Sequence, residues 1–226
     1  MKLAVHQPNY LPWLGYFKKI ARCDIFLIYD DIQFEKGGYT NRVKIRNSDS
    51  TRWLTQPLTN VPLSKRIICN LNFSNDFDWR AQHLRIIEMT YGKRPYHNKI
   101  FPVILEIFSN KTNSMAEFNY FAIKAICKFL EINTKIYCTS DLNYNRDLNA
   151  TQKLISFCFD MKCNEYSSGA GAVDYNNEGD FNLAGIKLSY DDWQHPIYEQ
   201  GNNFIKGLSV IDVLCNSSIC EIREWL

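Results

Sequence analysis

The chain has 226 residues, 46% of them apolar and 22% charged, and its 26 basic side chains against 24 acidic ones leave a net charge of +2. That length and apolar content can bury a full core, while the scattered charges offer no basic stripe of the kind a nucleic-acid backbone requires. Met1 runs straight into KLAVHQPNY with no signal-peptide pattern, and no apolar run nears the roughly 20 residues that span a bilayer. A cytoplasmic protein with no transmembrane segment and no nucleic-acid partner is expected.

Lys2 to His6 is a short apolar run ending in polar groups, and it reads as a buried strand. Pro12 can open a helix in which Trp13, Leu14, Phe17 and Ile20 recur at helical spacing, with Lys18, Lys19 and Arg22 on the wet side. Asp24 to Tyr29 (DIFLIY) is a second buried strand, and the strand, helix, strand order makes a parallel pair. Asn41 to Arg46 and Arg52 to Leu58 alternate as strands do, around a turn-like NSDS.

Asp78 to Tyr91, Ile100 to Ser109 and Ser114 to Glu131 carry helical periodicity, Asp78 serving as a cap and Gly92 as a stop. Beyond them, Lys135 to Thr139 and Asn164 to Ser167 read as strands, with a helix over Asn149 to Lys162 between them. A SSGAGAVDY loop follows, and Leu208 to Cys215 reads as a final helix. The pattern predicts one α/β domain over 1–226, a mainly parallel sheet flanked by helices, with a largely helical insertion at about 78–131.

Eight cysteines without a CxxC or an export signal are expected as free thiols, and with four histidines they never reach metal-ligand spacing, so no metal is expected. A ligand in an open α/β sheet lies beyond the carboxyl ends of the strands. Those ends carry His6 and Gln7, Asp30 and Asp31, Ser140 and Asp141, and Ser167 to Gly169. In HQPNYLPWLGYF two prolines stiffen a segment that presents His6, Gln7, Asn9, Tyr10, Trp13 and Tyr16 within eleven residues. Rigid aromatic surface beside donors and acceptors suits a sugar or a nucleobase, although helix spacing alone explains Trp13 as core.

Asp30, Asp31 and Gln33, followed by Asn41 and Arg42, form a second polar cluster. A carboxylate there can fix a histidine tautomer, orient an amine or take its proton; a solvated turn or an ion pair with Arg42 is the plain alternative. Arg42 could instead grip a phosphate, as could the backbone of the loop at Ser168 and Gly169, which lacks both the P-loop lysine and GxGxxG. His83, on an amphipathic helix, is a weaker candidate. Neither a GxSxG elbow nor a locally activated cysteine is present.

HQPNYLPWLGYFKKI, DIFLIYDDIQF, NRVKI, SSGAGAVDY and YEQ with FIKGLSVIDVL together resemble the WbqC-like family, from His6 to about Leu214. That resemblance implies a role in bacterial surface-polysaccharide assembly, such as the O-antigen of lipopolysaccharide, and transfer of a glycyl or other acyl group to an amino sugar. The opening also resembles nucleotidyltransferases such as pantothenate synthetases. At the position of their HxGH motif stands Trp13-Leu14-Gly15-Tyr16, which keeps the glycine and lacks both histidines.

The function expected is N-acyl transfer to a nucleotide-linked amino-deoxysugar, with coenzyme A, an acyl carrier protein or an acyl adenylate as donor. His6, Asp30 or Asp31 would accept the amine proton, and Gln7, Gln33 or loop N–H groups would hold the oxyanion. Asn9, Tyr10, Trp13, Tyr16, Asn41, Arg42, His83, Ser168 and Gly169 would bind substrate. An ATP-using ligase or nucleotidyltransferase relative, and a sugar-binding protein without catalysis, are the alternatives.

Overall fold

The computed structural model describes residues 1–169, 171, 176–201 and 203–226. Five strands form one parallel sheet in the order β5-β2-β1-β6-β7: β1 (Lys2–His6), β2 (Ile25–Ile28), β5 (Lys135–Cys138), β6 (Glu165–Ser168) and β7 (Lys187–Tyr190). The expected α/β class with a parallel sheet flanked by helices is what the chain adopts. A separate antiparallel hairpin, β3 (Arg42–Asn47) and β4 (Ser50–Thr55), pairs Arg42 with Thr55 and Asn47 with Ser50.

Strand alternation explains the layering, because successive side chains point to opposite faces. Leu3 and Val5 of β1 join Ile25 and Leu27 of β2 on one face, packed with Phe157 of α5 (Ala150–Asp160) and Phe181 of α6 (Glu178–Leu183). Ala4, Phe26 and Ile28 face the other way, into a larger core. That core includes α1 (Leu14–Ala21), α2 (Trp79–Tyr91), α3 (His97–Ser109), α4 (Met115–Phe129), α7 (Val210–Asn216) and α8 (Ile219–Trp225). Burying β1 and β2 on both faces is why these strands read as continuous apolar runs.

Local signals set the helix ends. Asp78 accepts from the Ala81 N–H at 3.1 Å and Gly92 closes α2, while Asn149 with Gln152 builds a capping box for α5. The differences from expectation are short elements. β7, α6 and α8 form where no element was expected, although Ser218 and Glu221 build a capping box for α8, and β4 ends at Thr55 instead of running on to Leu58. All eight cysteines are free thiols. Among the described residues, no helix is long and apolar enough to cross a membrane and no group of metal-ligating side chains clusters.

Candidate functional site

Beyond the carboxyl end of β1 the chain turns sharply through HQPNYLPW before α1 begins. Leu11, fully buried, is held at a φ of 41°, a left-handed conformation that costs a bulky residue on the order of 1–3 kcal/mol. The surroundings that hold it are explicit. The Ser209 hydroxyl donates to the Leu11 carbonyl at 2.8 Å, and the Val210 N–H donates to the Pro12 carbonyl at 2.8 Å. On the other side, buried Asn119 donates to the Pro8 and Thr40 carbonyls at 2.8 and 2.7 Å, while Thr40 donates to the Gln7 side chain at 3.0 Å.

This turn and the end of β6 enclose a cavity of about 470 Å³ lined by His6, Trp13, Tyr16, Lys19, Ser168 and Trp193, among others. The His6 ring meets Trp13 and Tyr16 edge-on, with centroids 5.9 and 4.9 Å away. Its Nδ1 lies 3.2 Å from the Gln7 carbonyl. A carbonyl only accepts, so Nδ1 carries the proton and Nε2 is left as an acceptor. Burial pushes the His6 pKa down to about 4, helped by the Lys19 charge, so the ring is neutral at neutral pH.

Lys19 was expected on the wet side of α1; instead it is 8% exposed and lines the cavity. Its Nζ donates to the Val5 carbonyl at 2.9 Å, and burial lowers its pKa to about 8, with Asp191 pulling the other way. The correction has a physical source: the irregular stretch after β7 returns over α1 and covers the face that periodicity leaves to water. Trp193 sits there, its indole 2.6 Å from where a Cβ on Gly15 would be. A signal for Lys19 existed, since it stands three residues after Tyr16 and so shares its helix face. Nothing in the spacing marks Asp191 or Trp193.

His6, Trp13, Tyr16, Ser168 and Gly169 thus share one cavity. The glycine loop is described only in part; Ala170 and residues 172–175 of SSGAGAVDY lie outside the described residues. Asn9, Tyr10 and His83 are buried elsewhere, Tyr10 hydroxyl and His83 Nδ1 meeting at 2.8 Å beneath Trp79. Gln7 lends its backbone carbonyl to the Tyr16 hydroxyl at 2.9 Å, and Asn41 donates to the Gln56 carbonyl at 3.2 Å. Gln33 lies in a bridge to Ile67.

Two expectations are corrected. The strand ends carrying His6, Asp30 and Ser168 were expected to bracket one ligand, but Asp30 opens on a different cavity, of about 320 Å³, with Glu117, Tyr120 and Ser140. Its carboxylate accepts from the Ser140 N–H and hydroxyl at 2.9 and 2.8 Å. Neighbouring Asp31 is held by Thr139, Tyr144 and Arg146 at 2.6, 2.8 and 3.1 Å. Arg42 was expected to grip a phosphate or to form an ion pair with Asp30 or Asp31. Its guanidinium instead donates to the Gly37 and Gly38 carbonyls and lies 4.1 Å over Trp53.

The HxGH position is informative as well. The space beside Gly15, which close phosphate approach would need, is filled by the indoles of Trp193 and Trp13. No solved structure matches the chain. A relative from Mycobacterium tuberculosis, "Uncharacterized protein Rv1507c", is 30% identical over 220 residues, covering 95% of this chain and 93% of its own length. The model of the WbqC-like protein family matches residues 7–224, from the residue after His6 almost to the end of α8, and the chain belongs to that family.

Proposed function

We propose that the His6 and Lys19 cavity binds a nucleotide-linked amino-deoxysugar and transfers an acyl group to its amine, in the assembly of a bacterial surface polysaccharide. The observation that carries this reading is a lysine with its pKa lowered to about 8, enclosed with a neutral histidine between aromatic rings. An amine attacks an acyl carbonyl only when neutral, and the N–H proton it loses needs a base with a pKa near the working pH. Lys19 meets that condition better than His6, whose pKa of about 4 makes it a weak base.

In this reading Trp13, Tyr16 and Trp193 present rings to the sugar, and His6 Nε2 accepts from the amine or a hydroxyl. The new C–N bond forms as the bond from carbonyl carbon to thiolate or adenylate oxygen breaks. The amine proton passes to neutral Lys19, and Asp191 stabilises the resulting ammonium. Coenzyme A thioester, carrier-protein thioester and acyl adenylate remain the three donor chemistries.

The test is a mass measurement on nucleotide-linked amino sugars incubated with the protein and acetyl-coenzyme A, or with ATP and glycine. Gain of one acyl mass on the sugar is the expected result, and pyrophosphate release confined to the ATP arm marks an adenylate donor. Pyrophosphate formed from ATP and glycine with no acyl mass gained by any sugar favours a ligase instead. Tight sugar binding with no product from any donor sinks the transferase reading and favours a binding protein.

A further inference from the structure

A second cavity, of about 590 Å³, lies at the turn of the β3–β4 hairpin and is walled by the last turns of α2. With strands rising about 3.3 Å per residue, the run from Arg42 to Asn47 sets it roughly 17 Å along the hairpin from the Arg42 end. Its lining includes Arg46, Arg52 and Arg94, with Asp49 the one acid among the lining residues. Three guanidinium groups against one carboxylate leave two positive charges in the cavity.

One lining carboxylate, Asp49, cannot balance three guanidinium groups, and the ion pairs at Lys2, Lys187, Arg146 and Arg223 involve none of the three arginines. Arg46 is 4% exposed, and neutral acceptors fix its guanidinium: Gln200 Oε1 at 3.2 Å, the Asn203 carbonyl at 2.9 Å and Asn203 Oδ1 at 2.6 Å. A buried cation is costly unless anions stand near it. Asp212 feels the fields of Arg46 and Arg94, and with Asp49 it still leaves three guanidinium groups against two carboxyl groups.

The wall also fits a close ligand. Gly201 has a φ of +107°, and a Cβ there would stand 3.4 Å from the Arg94 guanidinium. Glycine at this position keeps the Arg94 fork clear. Guanidinium forks match phosphate oxygens two at a time, which makes grouped arginines a phosphate site more than a site for a single carboxylate.

The geometry points to this cavity as a binding site for a phosphate-bearing small molecule, separate from the His6 and Lys19 cavity, with Arg52 and Arg94 as its direct contacts and Arg46 as fixed charge behind them. Isothermal calorimetry with inorganic pyrophosphate tests it, using Arg52→Gln, Arg94→Gln and, as control, exposed Lys111→Gln. Arg52 lies at the surface and its loss leaves the core untouched, so at least one informative variant folds; melting temperatures check both.

Salt-sensitive binding is expected, weakened about tenfold or more by either arginine change and unaltered in the control. Undiminished binding in both arginine variants, no binding by the unmodified protein, or equal affinity for citrate overturns the assignment. A nucleoside diphosphate that binds more tightly than pyrophosphate identifies a nucleotide as the source of the phosphate, and equal affinity identifies free diphosphate. Binding alone is read, so this outcome stands apart from any failure of acyl transfer.

Discussion

The carboxyl ends of β1 and β2 lie side by side, His6 opposite Ile28 in register, and both carry ionisable groups in sequence. At the end of β2 both carboxylates are tied to structural donors even though Asp30 borders a cavity: Asp30 on the Ser140 N–H and hydroxyl, Asp31 on Thr139, Tyr144 and Arg146. At the end of β1, His6 uses one nitrogen and keeps the other, and Lys19 makes one hydrogen bond and faces a cavity. Groups with spent capacity hold strand ends together; groups with capacity left over beside open space can act on a ligand.

The sharpest way to break this contrast is Lys19→Met, which keeps the length of the side chain and removes the amine. Under the transferase reading, turnover per folded molecule drops by about 10²–10⁴, and the rise in rate as Lys19 loses its proton near pH 8 disappears. His6→Gln costs only about tenfold and keeps that rise. Should His6→Gln cost as much as Lys19→Met and flatten the profile, the base is His6.

Asp30→Asn probes the other region. Its amide cannot accept from all the donors now facing the carboxylate, so chemical unfolding should register a loss of about 1–3 kcal/mol, with turnover per folded molecule unchanged. A folded but inactive variant would return Asp30 to the catalytic group.

A further effect couples pH and stability. His83 and His6 both have pKa values lowered by burial to about 4 from the usual 6.5. Between those values the unfolded chain binds protons that the folded one does not, so stability rises with pH across the window and levels off below it. Buried His83 alone contributes on the order of 2 kcal/mol, and His83→Gln should flatten part of the slope in urea titrations run at the two ends of the window.

Much of the frame was legible in the sequence. KLAVH and DIFLIY are apolar and β-branched enough to be buried strands, and Asp78 and Gly92 bracket α2 by ordinary capping chemistry. KLSY of β7 does alternate, but over four residues on a half-buried edge, a run too short to stand out. Of the site, His6, Trp13 and Tyr16 were found because they crowd into one stiff segment. Lys19, Trp193 and the arginine group escaped, because they depend on the irregular stretch at residues 191–201 and on Asn203 meeting distant elements. Periodicity records one element's faces and holds no information about a loop that later covers them.

The bond from Ser209 to Leu11 joins residues 198 positions apart, and Ser209 also donates to Lys44 at 2.9 Å. Synthesis delivers HQPNYLPW first, yet the partner that holds its left-handed residue emerges only when most of the chain has been made. Until then Leu11 has no reason to stay in its costly conformation. The cavity is therefore completed near the end of translation, and a nascent chain halted before Ser209 should leave that segment open to proteolysis while one released beyond it is protected.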